Sequence, residues 1–148
     1  MSTFVIIILA IHLFFLLSGL AMQHYGFMQF IRKEPSYKRI QKVSWFAFIF
    51  FIISTIAGWM YYSQYYKTEV QPLILSGDFP WIHNLLVKPE TYLFVLIPLS
   101  SFVFVRLIQN IQKAEDERLK KTAFFVPLIT LSLGALVSGT WILVLGII

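Results

Sequence analysis

Four apolar stretches, at about 3–22, 43–62, 92–109 and 123–146, occupy most of the chain. Each is close to the ~20 residues that an α-helix needs to cross a hydrocarbon layer of ~30 Å. Inside that layer every backbone N–H and C=O must be satisfied within the segment, so stretches of this kind are helices. Of 148 residues, 58% are hydrophobic and 13% charged, where soluble domains carry roughly 25% charged residues. After four spans only short connections and one longer segment, 63–88, remain, too little for a separate soluble domain. The expected fold is all-α: an integral membrane four-helix bundle, one transmembrane domain over residues 1–148.

Cationic residues set the expected threading. Arg32, Lys33, Lys38, Arg39 and Lys42 follow the first span, and Arg106, Lys113, Arg118, Lys120 and Lys121 surround the third connection, whereas the other side holds only Lys67 and Lys88. The positive-inside rule puts both basic connections in the cytoplasm and both termini, with segment 63–88, on the outer side of a cell or inner membrane. The net charge of +5 is then a topology signal facing anionic headgroups rather than a nucleic-acid footprint. The first span has no basic residue before it, which favours an uncleaved anchor over a signal peptide.

Aromatic and turn residues mark the span ends. Trp45 stands at the inner end of span two, and Trp59, Tyr61, Tyr62, Tyr65 and Tyr66 at its outer end. Pro98 interrupts span three, while Pro89 and Glu90 suit its first turn. In the outer segment, Ser76-Gly77-Asp78 reads as a turn with Asp78 as helix N-cap and Pro80 in the first turn. A short interfacial helix over 79–87 is expected there, with Trp81, Ile82 and Leu85 toward lipid or the bundle rim and Trp81 and His83 as a docking surface for a partner. Residues 110–122 read as a solvated helical extension carrying Lys113, Glu117 and Lys121 at successive fourth positions.

Between helices in lipid, association depends on close packing of small residues. Ser18 and Gly19, Ser54 and Gly58, and Ala135 and Gly139 supply them, with Gly134 and Ser138 forming a second stripe on span four. No heptad or longer internal repeat is evident.

His12, in the middle of span one, is the foremost chemical candidate, since polar groups at that depth face the protein interior. It can ligate a cofactor, donate an interhelical hydrogen bond or transfer a proton. Gly19 lies two turns along the same face, with room for a cofactor or a neighbouring helix. His12 and His24 are 12 residues apart, about 120° and ~18 Å on a helix, and so cannot share an ion. Met22, Met28 and Met60 fall at different depths and read as packing residues. Arg106 is close enough to the inner surface to snorkel, or to pair with a haem propionate or an anionic lipid. The spans contain no Asp or Glu, which argues against a carboxylate-based ion pump, and the chain has no Cys. No metal site is expected, and hydrolase, kinase and nucleotide-binding motifs are absent.

At His12, and at Trp81-Ile82-His83 with Lys88, the chain resembles the four-helix CopD-like and HemJ-type (bacterial protoporphyrinogen oxidase-like) membrane proteins. The resemblance covers about a quarter of the chain. It implies b-type haem, with His12 as ligand and Lys88 as an accessory cation. The chain departs from the pattern at Gly19, where those families often have Trp, and in the position of Lys88 before Pro89.

Three functions are therefore weighed. The leading one is a noncatalytic accessory subunit of a larger membrane complex, such as a redox complex, contacting lipid and other membrane subunits or a second copy of itself. The alternative is a haem-binding redox or haem-handling protein using His12, and the third is a small carrier or channel component.

Overall fold

The computed structural model describes residues 3–77, 80–114 and 116–145. Four long helices account for nearly all of them: α1 (Thr3–Phe30), α2 (Tyr37–Ser76), α3 (Pro80–Ala114) and α4 (Glu117–Leu145). All four are long and apolar enough to cross a membrane, so the chain is a multi-pass membrane protein. No strand occurs among the described residues.

The helices run up, down, up and down in a closed ring. His12 meets Ser54 and Gly58 across α1 and α2, while Thr55 bonds Phe94 across α2 and α3. Ser100 bonds Thr130 across α3 and α4, and Phe27 packs on Phe124 across α4 and α1. Both described chain ends thus lie at the same end of the bundle as the α2–α3 hairpin, and the other two turns lie at the opposite end.

Most buried positions step by three and four. In α1 the series is Leu9, His12, Leu16, Gly19, Gln23 and Gly26, flanked by the buried Ile8, Phe27 and Gln29; in α2 it is Ile40, Ser44, Ala47, Phe51, Ser54, Gly58 and Tyr61, with Ala57 beside it. Residues Phe94, Ile97, Ser101, Phe104, Ile108 and Ile111 continue the pattern in α3. A spacing that averages 3.5 residues is that of heptad-type helix seams, although no heptad repeat is evident in the sequence. Hydropathy does not reveal it because the outer face is as apolar as the inner one: Ile6, Ile7, Phe14 and Leu17 are exposed on α1 while His12, Gly19 and Gln23 are buried.

Between α1 and α2 the seam alternates small and large. Gly58 lies under the His12 ring, Gly19 under the Phe51 ring, and Gly26 beside Ser44 Oγ. These pairs recur every seven residues on both helices, running in opposite directions, so the register of the hairpin is fixed by which glycine accepts which ring.

The segment between spans two and three is not an irregular loop with a separate interfacial helix. Helix α2 runs on to Ser76 and α3 starts at Pro80. Residues 63–76 are polar by sequence yet helical, because the two extensions bury Tyr66, Val70, Ile74, Ile82 and Val87 together in the main core. Asp78 and Phe79 lie outside the described residues, as does Gly146; Pro80 does open its helix. Pro89, expected in a first turn, stands in the helix interior, and its side chain and that of Glu90 are not among those described.

Both extensions contain a stretch of wider π-helix, at Tyr62–Val70 and His83–Val87. Each ends two residues before a proline, Pro72 and Pro89. A proline removes the N–H that would bond the carbonyl four residues back and crowds that carbonyl. Bonding to the fifth residue, as Gln71 N–H to Tyr66 O and Lys88 N–H to His83 O, carries the helix through. Pro98 and Pro127 also lie inside their helices.

Candidate functional site

The seam gathers buried polar side chains at three levels. At the middle level, His12 Nδ1 is 2.8 Å from the Ser54 carbonyl oxygen and 3.0 Å from Ser54 Oγ, and Ser54 Oγ donates to the His12 carbonyl at 3.0 Å. A carbonyl only accepts, so Nδ1 carries the proton and Nε2 the lone pair. The ring is 1% exposed, its face on Gly58 and the edge contact with Phe94 at 5.7 Å and 90°. Among the described residues His12 Nε2 has no hydrogen-bond partner.

Nearer the two-turn end, Ser101 Oγ donates to Gln23 Oε1 at 3.0 Å, and Ser100 Oγ is 2.8 Å from Thr130 Oγ1. Gln23 Nε2 and the fully buried Ser44 Oγ lack partners among the described residues. Gln23 is 11 residues from His12, about 16 Å along the helix. Leu16, Phe51 and Ile97 fill that interval. The two levels are therefore separate, and no continuous chain of polar groups joins them.

At the hairpin, Tyr66 Oη is 2.9 Å from His83 Nδ1, with the rings stacked at 6.0 Å and 17°. Tyr62 stacks on Tyr66 at 5.3 Å. Both partners of the hydrogen bond lie in the π-helical stretches, so the widened turns face one another across the tip.

The expected site residues separate accordingly. His12, Ser54 and Gly58 come together as one contact. Gly19 is buried, but the space above it holds the Phe51 ring. Arg106 is exposed at the two-turn end and donates to Gln109 Oε1 at 2.9 Å. Trp81 and His83 part: Trp81 is 49% exposed, and His83 is 6% exposed against Tyr66. Ala135 is exposed, and no described atom comes within 4 Å of a Cβ built on Gly139. His24 and Met28 are exposed, Met22 and Met60 half-buried. No group of three His, Asp or Glu residues could hold a metal ion among the described residues.

The haem implied by the sequence resemblance can be tested against this arrangement. His12 Nε2 is the right donor, and a proton held on Nδ1 by a backbone carbonyl is the usual second-sphere arrangement of a ligating imidazole. The space is wrong. A cofactor pocket occupies several hundred Å3, yet among the described residues the His12 ring is enclosed by Gly58 and Phe94 and only 1% exposed. The residues around His12 do not fit a haem.

Sequence reasoning missed Gln23, Ser44 and Ser101, and it read Tyr66 as an aromatic residue at a span end rather than as the partner of His83. Gln23 sits one residue beyond the assigned end of span one, and the serines are common enough in membrane helices to pass unnoticed. For Gln23 the available signal was its 3-4 phase with His12 through Leu16 and Gly19. Comparison with protein-family models, with curated proteins and with solved structures found no match.

Proposed function

We propose that the chain is a noncatalytic accessory subunit of a larger membrane complex, associating through the outward face of α4. The observation that carries this is a second 3-4 stripe on α4, opposite the buried seam: Phe125, Leu128, Ser132, Ala135, Gly139 and Ile142. Its centre consists of the small residues Ser132, Ala135 and Gly139, the type that also lines the inner seam. Gly19, Gly58 and Gly134 are each filled by a side chain of this chain, whereas Gly139 is open among the described residues. Small residues in such a phase let a neighbouring helix approach closely in lipid. The His12, Gln23 and Ser100 contacts serve as interhelical braces in this reading, and the basic end faces the cytoplasm with both termini outside.

The test is native mass spectrometry and cross-linking of the chain released from its own membrane, with Ala135→Leu/Gly139→Leu as the probe. The expected result is a fixed partner of different mass, lost in the double variant while the bundle keeps its unfolding transition. A lone monomer refutes the proposal, and self-association alone would replace it with a homo-oligomer.

A further inference from the structure

The α2–α3 face holds two hollows of opposite character on one line. The first is apolar, lined by Phe48, Ile52, Val95, Pro98, Leu99 and Phe102; the second is polar, lined by Gln41, Arg106, Gln109, Asn110, Gln112 and Lys113. Most of these residues fall on one stripe of each helix, 41, 48 and 52 on α2 and 95, 99, 102, 106, 109 and 113 on α3, with Pro98, Asn110 and Gln112 beside the α3 stripe and Trp45 between Gln41 and Phe48. Trp45 and Phe102 join the two compartments, with ring centroids 6.2 Å apart, and Phe48 packs on Phe102 at 5.4 Å. From Val95 to Arg106 is 11 residues, about 16 Å of helix.

Each compartment matches one part of a lipid. With the spans threaded as their sequence predicts, the apolar hollow falls at the depth of acyl chains, Trp45 at the headgroup boundary where indole rings concentrate, and the basic hollow beyond it. The polar hollow is lined by two cations, four amides and no carboxylate. Among the described residues, the ion pair within 4.0 Å is Lys120–Glu117, and Asp116 accepts from the Arg118 backbone, so these acids are engaged elsewhere. Lys38 stands one turn beyond Gln41 on the same stripe. Guanidinium and amide donors beside an ammonium suit a phosphodiester oxygen pair, and basic pockets between membrane helices are sites for anionic headgroups.

We propose that this groove is a specific site for an anionic phospholipid. Its phosphate is held by Arg106 and Lys113 with the Gln41 and Gln109 amides, and one acyl chain lies over Phe48, Leu99 and Phe102. The site is independent of the α4 face and of whatever partner that face meets.

The experiment is native mass spectrometry of the full chain in nanodiscs containing phosphatidylglycerol and phosphatidylcholine in equal amounts, each variant checked for helical content and monodispersity. The wild type should retain phosphatidylglycerol about tenfold more tightly than phosphatidylcholine, near 1.4 kcal/mol. Arg106→Gln/Lys113→Gln should bring the ratio close to one. Arg32→Gln/Lys33→Gln, an equal charge change in the first turn, should leave it intact, and Leu99→Trp should weaken retention by filling the chain-binding hollow. Equal retention of both lipids overturns the proposal, as does an equal loss in the Arg32/Lys33 control, which would mean general attraction to a basic surface. Displacement of phosphatidylglycerol by millimolar inorganic phosphate, with Leu99→Trp inert, would also overturn it in favour of a free-anion site.

Discussion

Substituting Gly58 by alanine tests the α1–α2 seam directly. The added methyl would stand 2.8 Å from both Cε1 and Nδ1 of His12, about 1 Å inside the ~3.5–4.0 Å separation of unstrained contacts. The ring cannot turn aside freely, because Nδ1 is tied to the Ser54 carbonyl at 2.8 Å and Phe94 sits against the ring. Overpacking of this kind costs about 1–3 kcal/mol. Pulling the imidazole off Ser54 adds about 0.6 kcal/mol, the average for an interhelical hydrogen bond in a membrane. Gly58→Ala should therefore destabilise the bundle by about 2–3 kcal/mol. In a His12→Ala background the same methyl meets empty space, so its cost should fall near zero and the double-mutant cycle should return a coupling of about 2 kcal/mol. Steric trapping or reversible unfolding in bicelles supplies all four free energies. A Gly58→Ala cost that is the same in both backgrounds, within ~0.5 kcal/mol, would refute the reasoning, since the glycine would then matter for some reason other than the ring above it.

Other outcomes follow from the same geometry. Gly134→Ala drives its methyl into the flexible end of Leu20 rather than a pinned ring, so it should cost about 1 kcal/mol, the low end of overpacking, in the same assay; a loss as large as that of Gly58→Ala would contradict this. Tyr66→Phe keeps the stack on His83 but removes the hydrogen bond, worth about 0.5–1.5 kcal/mol, and hydrogen exchange should quicken in 62–87 while α1 is unchanged. Uniform quickening across all four helices would sink that assignment of a local brace. Protease or label accessibility in sealed vesicles should find both termini on the face opposite the 31–36 turn and the 115–116 connection; termini accessible from the cytoplasmic face would reverse the threading.

The number of helices was legible because it depends on length and mean hydropathy, which lipid demands of every span. The interior placement of His12 and the packing role of Gly58 were legible for the same reason: each is conspicuous among Ile, Leu and Phe. The seam was hidden because lipid removes the contrast that betrays a heptad in water. On α1 the buried stripe carries His12, Gly19, Gln23 and Gly26 while the outward stripe carries Ile7, Ile11 and Phe14, so the pattern is inverted rather than weak. The hairpin was misjudged for the opposite reason. Ser63, Gln64, Lys67, Thr68 and Glu69 look like a loop, yet they are the exposed face of a helix whose other face, Tyr66, Val70 and Ile74, is buried against α3.

The π-helical stretch of α2 also determines where the chain can change length. Below it the buried residues step by three and four, so losing one residue there would rotate everything beyond by about 100° and turn the rest of the seam outward. Across the widened turn the step from Tyr61 to Tyr66 is five. Loss of one residue between them leaves a step of four, still on the buried face. The hairpin tip is thus the one part of α2 that can absorb a single-codon deletion without misaligning the helix, and length variants of this chain should be found there before they are found in the spans.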